Sequence, residues 1–492
     1  MPLIPINLPP GQYRNGTEYQ SQGRWRDANL IRWHEGALRP VGGWRQRGSV
    51  DISGVVRTMV AWEDNTNNRR IAFGTHDKLY AMNSGDVVSD ITPAGFTAGR
   101  VDATAFTGFG GGPYGDDLYG LPRPDTGSVL PATTWSLDNF GEYLLGCTAD
   151  DGKIYQWQLS GGTPAAVLSN APTSCSGMMV TEERFVFAFG AGGDPRKISW
   201  SDREDNNTWT AATTNEAGDI QLQTNGVILK GLRTRGQSLI LTDQDAHTAT
   251  YSGPPYVYGF ERAGTSCGLI AANAAASVDA GVIWMGQRSF FVYSGGAVQE
   301  LPCDVADYVF SDINIDQKSK VHAVVNSRFS EIWWFYPSAS STECDSYVSF
   351  DYAEQIWPTG TIARTAGVDR GVFRQPFWIA ADGTLYEQEI GFDYGNQTPF
   401  AETGPIAIGV GEQVMSVRGM IPDENTLGDV NATFKTRFYP TDTERDYGPF
   451  SMANPTSFRL TGRQIRMRIT GDASSDWRVG IMRLDAVAGG RR

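Results

Sequence analysis

The sequence predicts an all-β chain, a six- or seven-bladed β-propeller followed by a C-terminal antiparallel β-sandwich. Three observations predict it. From about Val55 to Ile390 short apolar runs alternate with turn residues, helical periodicity is nearly absent, and an aromatic residue recurs along the runs. Tyr155, Trp200, Tyr251 and Tyr293 are 45, 51 and 42 residues apart, near the ~40–50 residues of a four-stranded blade. Composition agrees: glycine fills 57 of 492 positions and only 20% of residues are charged, which suits tight turns between short strands.

The elements follow in chain order. Four prolines between Met1 and Gly11 hold the backbone extended, so residues 1–22 read as an arm. The segment Gly23–Arg45 interleaves Arg and Trp, with turn signals at Glu35-Gly36 and Gly42-Gly43. Arg24, Trp25, Arg26 and Trp33 there are candidate protein-interface residues, because Trp and Arg are favoured anchors of such surfaces. The alternatives are a first propeller strand or a groove that stacks single-stranded nucleic acid. Residues 23–400 form the propeller. Its runs include Arg70–Gly74, Gly281–Met285, Glu331–Tyr336 and Arg184–Gly190, where Phe185, Phe187 and Phe189 fall on one face of a half-buried strand. Asp151-Gly152 and Asp382-Gly383 supply the positive φ of hairpin turns. Asp304–Ile315 is the best helix candidate. The competing architecture is a set of unrelated hairpins or two stacked sandwiches.

Residues 401–492 form the sandwich. Ile465, Met467 and Ile469 face one way and Arg466 and Arg468 the other, and Trp477, Val479 and Ile481 repeat the alternation. Arg463, Arg466, Arg468 and Arg478 are the interface candidates on this surface. The glycine-rich stretch 108–120 reads as a projecting loop, with Gly110, Tyr114, Asp116 and Asp117 its candidate contacts. Gly110, Gly112 and Gly115 match a dinucleotide-binding pattern by letter, but Pro113 interrupts it and no strand-to-helix context surrounds it.

Motif chemistry is sparse. His34, His76, His247 and His322 lie far apart and form no metal pair, and the five cysteines contain no CxxC, so buried free thiols are expected. No nucleophile motif or phosphate-binding loop stands out. Ser201–Trp209 is one residue too long and lacks the glycine of the turn found in sialidase-like propellers. No catalytic residue, metal or cofactor is assigned. No 18-residue apolar run exists, so no membrane-spanning helix is expected, and the N-terminus lacks the pattern of a signal peptide.

The net charge of −14 is unevenly spread. Residues 14–47 carry +4, residues 458–492 carry +5, and the middle carries −23. General wrapping of nucleic acid is therefore not expected of the body. The arm, the motifs Asp27–Trp33 and Leu38–Trp44, the β-rich repeats, Leu460–Arg466 and the ending Asp476–Asp485 with Gly489–Arg492 together resemble virion structural proteins of bacteriophages. The likeness is to the propeller-containing tail nozzle proteins of short-tailed phages. It spans most of the chain and rests on scattered motifs, so no residue role carries over.

That resemblance implies a ring of copies, usually a hexamer, below the portal and adaptor, through which double-stranded DNA leaves without specific binding. It also implies contacts to tail fibre or spike proteins, and a location in the virion after synthesis in the host cytoplasm. An acidic channel would keep DNA off its wall, while basic ends dock on neighbours. The competing readings are a sialidase-like propeller that binds or cleaves host-surface glycans, and a fibre-attachment or receptor-binding protein.

Overall fold

The structure is a computed structural model, described here for residues 3–49, 51–106, 129–406, 413–471 and 474–490. Gly110, Tyr114, Asp116 and Asp117 lie outside the described residues. The chain is built from antiparallel sheets, with one short α-helix, Ala306–Asp312, and three 3-10 turns among the described residues. The expected helix over Asp304–Ile315 is thus present in shorter form, followed by a 3-10 turn at Ile315–Lys320.

Seven four-stranded sheets succeed one another along the chain, and each runs outward in simple meander order. Their innermost strands are Thr58–Glu63, Trp135–Phe140, Gly177–Val180, Ile228–Thr234, Ala275–Val278, His322–Asn326 and Ala366–Val368. Each packs against the next, and the last packs against the first, so the sheets form a closed cycle about an axis. This is the arrangement of a β-propeller. The outermost strand of the seventh sheet is Trp44–Ser49, which pairs with Thr384–Gln388 and so closes the ring with chain from the N-terminus.

The radial stacking changes the burial expected from alternation. Phe185, Phe187 and Phe189 pack toward the fourth sheet with Tyr258, while Val186 and Ala188 pack toward the second sheet with Leu145 and Cys147. The strand is buried on both faces rather than one, because a sheet in a ring has a neighbour on each side. Glu331–Pro337 is buried along its whole length for the same reason. The turns at Gly152 and Gly383 do have φ of +69° and +79°.

Two further sheets share one core. The first has the strand order Ile4–Ile6, Met482–Ala488, Met415–Ile421, Thr456–Gly462; the second runs Trp25–Asn29, Phe400–Thr403, Gln464–Gly471, Val430–Arg437, Arg445–Ser451. Ile465, Met467 and Ile469 point into that core as the alternation requires, beside Phe434, Trp477 and Val479. Ile481 departs from the pattern: it is exposed, and the inward face of the following strand is carried by Met482, Leu484 and Ala486. The expected division of the N-terminal chain also differs. Ile4–Ile6, placed in an arm, and Trp25–Asn29, placed in the propeller, pair instead with Met482–Ala488 and Phe400–Thr403. The reason is edge satisfaction. Each C-terminal sheet has an open strand edge, and a preceding extended segment satisfies its backbone groups.

Candidate functional site

Two regions concentrate polar chemistry: the axis of the ring and the join between the termini. The axis holds a cavity of about 260 Å³ lined by the innermost strands of six sheets, including Met59, Leu137, Lys230, Leu232, His322 and Val325. At the mouth where the innermost strands end, it meets a wider vestibule of about 770 Å³; Ser277 and Val325 line both. The vestibule brings together Glu182, Arg233, Arg235, Asp279, Tyr293, Tyr352 and Asp369, all from turns or strand ends. Burial pushes the Asp369 carboxyl up, against hydrogen bonds from the backbone N–H groups of Ser327 and Arg370. Arg233 is tied to Asp138 at 2.5 Å.

Ion pairs gather at the opposite mouth. Arg57, with a side chain only 2% exposed, makes a fork on Glu343, with Nη2 to Oε1 at 2.7 Å. The fully buried Lys320 ammonium donates to Thr342 O at 2.6 Å and pairs with Glu343 at 3.2 Å and with Asp102. Gln317 binds both the N–H and the carbonyl of Ala103 at 3.0 Å, and Ser319 accepts from the Ala132 N–H at 3.0 Å. The paired strands Thr104–Ala105 and Val129–Leu130, the stem of the expected projecting loop, are thereby fastened to the helical insertion before the sixth sheet. The pull of Arg57 and Lys320 holds Glu343 below the usual carboxylate range despite burial.

At the join of the termini, Ile31–His34 and Ala37–Pro40 form the expected hairpin, turning at Glu35 and Gly36 with φ of +52° and +77°. Gly42-Gly43 is not a turn but a close approach. A Cβ on Gly43 would stand 2.5 Å from the Asp393 nitrogen and 2.6 Å from its carbonyl oxygen. The hairpin carries Arg32 into the interior, where its Nε and Nη2 bond both oxygens of Glu331 at 2.7 Å and Nη2 bonds Glu389 at 2.6 Å. The guanidinium also lies 3.5 Å from the centre of the Phe329 ring. Burial pushes the Glu331 carboxyl up even beside Arg32, whereas for Glu389 the pull of Arg32 overcomes burial and lowers it. Sequence reasoning missed this triad, because its members are separated by about 300 residues of chain; the only signal was a lone Arg between Ile31 and Trp33.

The expected interface residues are placed as follows. Trp25 and Trp33 are 6% and 3% exposed, with ring centroids 6.2 Å apart, so both belong to the core between the two C-terminal sheets rather than to an outer surface. Their rings remove more apolar area from water there than any exposed position allows. Arg24 pairs with Asp304 at 2.8 Å. Arg26, drawn below its ordinary range by partial burial, reaches Thr17 O at 3.4 Å. Arg466 meets Glu444 at 2.7 Å, Glu402 at 3.0 Å and Glu18 at 3.2 Å. Arg468 reaches Glu402 at 3.3 Å and covers Phe400 at 3.5 Å. Arg463 lies 5.1 Å from the Tyr439 ring centre, and Arg478 stands 3.5 Å from Asp476. The structure therefore joins Arg26, Arg466 and Arg468 in one network with Lys435 and Arg437, answered by Glu18, Glu402 and Glu444. The expected free row of arginines is largely neutralised from within.

Cys147, Cys175, Cys267 and Cys344 are buried free thiols and Cys303 is a partly buried one. Among the described residues no three His, Cys, Asp or Glu side chains form a metal-sized cluster. No described helix is long and apolar enough to cross a membrane.

No protein-family model and no curated protein sequence matches the chain. Among solved structures it is similar to virginiamycin B lyase from Staphylococcus aureus, at 8% identity and a TM-score of 0.42 over 70% of this chain and 98% of that one. YCF48 bound to D1 peptide gives 8% identity and a TM-score of 0.39 over 71% and 97%. PorZ of Porphyromonas gingivalis gives 9% and 0.39 over 77% and 45%. At such distances no function passes from these proteins to this chain. The class of protein rests on the closed cycle of sheets itself: an all-β propeller protein with two extra sheets built from both ends of the chain.

Proposed function

We propose that this propeller protein is a structural subunit of a short-tailed phage virion, in which copies assemble as the ring-shaped nozzle of the tail. In this reading the seven sheets are seven blades and the two shared-core sheets are a sandwich. The ring is a hexamer that docks adaptor and fibre or spike proteins, and it performs no catalysis. The observation that supports the reading is the way the chain locks its two bodies together. Strands from the N-terminus close the ring and complete both C-terminal sheets, and Arg32 ties the hairpin between them to the sixth and seventh sheets. Such interleaving suits a subunit that must bear load without hinging. The axial cavity of about 260 Å³ is too small to pass duplex DNA, so the conduit lies between subunits. Because the C-terminal arginines are already paired internally, docking falls to their residual charge and to the acidic body.

The test is the mass of the purified particle by sedimentation, read beside a negative-stain image. A closed ring of about six copies is the expected result. A stable monomer at micromolar concentration, or a ring whose lumen is lined by the arginines of residues 459–483, overturns the proposal. A second reading, binding of host-surface glycans, is favoured by one observation, the vestibule in which carboxylates, arginines and tyrosines converge. A monomer that binds oligosaccharide, with affinity lost in Tyr352→Ala, would establish it instead.

A further inference from the structure

The axial cavity has a feature that ring closure does not require. Among the buried cations, Arg32 is matched by Glu331 and Glu389, Arg57 by Glu343, and Lys320 by Asp102 and Glu343, whereas Arg364 lies over the rings of Trp44 and Tyr386. Lys230, half-buried, has neither kind of partner. It lines the cavity, and among the described residues its ammonium makes no hydrogen bond and no ion pair. The carboxylate that influences it, Asp138, is engaged by Arg233 at 2.5 Å and by the Val180 N–H at 2.9 Å. No Asp or Glu lines the cavity.

A second group points into the same space. His322 is 4% exposed, lies on the cavity wall and is stacked on Phe335 at 5.2 Å. Its Nδ1 faces the Lys320 carbonyl at 3.4 Å, so Nδ1 carries the proton of the neutral ring, and Nε2 presents a lone pair that finds no partner. A desolvated ammonium without a counter-ion is unfavourable: either it gives up its proton or an anion joins it. The rest of the wall is mixed: Met59, Leu137, Leu232 and Val325 are apolar, and Arg57, Thr58, Asn273 and Ser277 are polar.

We propose that the axial cavity binds a small hydroxycarboxylate, whose carboxylate neutralises Lys230 and whose hydroxyl donates to Nε2 of His322. The ligand enters from the vestibule, which meets the cavity at Ser277 and Val325. At about 260 Å³ the cavity falls below the ~300–1,000 Å³ of ordinary small-molecule sites, which selects a short carbon chain and rejects oligosaccharides and nucleotides. The apolar part of the wall takes the carbon chain, and the two nitrogens fix its orientation. Burial lowers the proton affinity of Lys230, and the arriving carboxylate opposes that lowering. Binding therefore takes up a proton, increasingly so as pH rises toward the alkaline range. The proposal is independent of assembly, because the cavity lies inside one chain.

The experiment is calorimetric titration of the full chain with glycolate and with lactate, in buffers of different ionisation enthalpy between pH 7 and 10. Saturable 1:1 binding of one of them, with proton uptake that grows with pH, is expected. Lys230→Met should weaken it at least tenfold, and His322→Phe several-fold with the proton uptake retained. Leu137→Phe, which adds bulk to the cavity wall and leaves Lys230 and His322 unchanged, should abolish binding. No saturable heat with either acid, unchanged binding in Lys230→Met, or equal binding of inorganic phosphate overturns the proposal, whatever the particle mass turns out to be.

Discussion

Arg32 carries its charge into the interior because two carboxylates meet it there, and that dependence makes it a sensitive probe of the fold. Arg32→Met leaves Glu331 and Glu389 buried side by side, and breaking such a site costs about 3–5 kcal/mol. Urea unfolding should show that loss at pH 8 and a smaller one at pH 5, where the carboxyls take up protons. The triple variant Arg32→Met, Glu331→Gln, Glu389→Gln should recover much of it. His322 gives the opposite kind of probe. Burial draws its imidazole from 6.5 down to about 4, so the unfolded chain protonates first on acidification. Its contribution, about 3 kcal/mol by proton linkage, is complete above pH 6.5 and is lost as pH falls toward 4. The stability of His322→Phe should lack that part of the acid slope, measured as the urea midpoint at pH 7.5 and at pH 4.5.

At the scale of elements, the closing strand Trp44–Ser49 depends on a backbone approach that side-chain contacts do not reveal. Gly43→Ala places a methyl between the Asp393 nitrogen and carbonyl, both within 2.6 Å, and neither backbone atom can give way cheaply. A loss of about 2–3 kcal/mol is expected. Gly36→Ala, in open space but at φ +77°, should cost only about 1 kcal/mol. Equal losses in thermal or urea unfolding would mean that the ring is not held at this joint. The aromatic repeat was readable from the sequence at this scale. Tyr155, Trp200, Tyr251 and Tyr293 all lie on third strands of successive sheets, and Tyr80, Tyr347 and Tyr386 mark the third strands of three more. The count stayed open between six and seven because the chain before the second sheet and the helical segment before the sixth break the period, and because the seventh sheet borrows its outer strand from the N-terminus.

For the whole molecule, the two bodies cannot be separated by one cut, since strands of residues 4–6 and 25–29 sit in the C-terminal sheets and 44–49 in the ring. A chain ending at residue 400 should strand those N-terminal segments and expose the core that holds Trp25 and Trp33. Calorimetry of the full chain should show one main transition, and the truncated chain should bind a hydrophobic dye and melt at lower temperature. Two well-separated transitions in the full chain would count against this coupling.

The sequence by itself determined the local grammar of this protein: strand length, turn positions, the outward Arg466 and Arg468, and the third-strand aromatics. Those features follow from neighbours a few residues apart, which alternation and turn chemistry record. Only the tertiary structure decided where the charge acts. Arg26, Arg466 and Arg468 from the two basic ends come together and are met by Glu18, Glu402 and Glu444, while Lys230 lines the axial cavity without an ion-pair partner among the described residues. Partners hundreds of residues away leave no mark on local pattern, because an ion pair is fixed by distance in space and not by position along the chain.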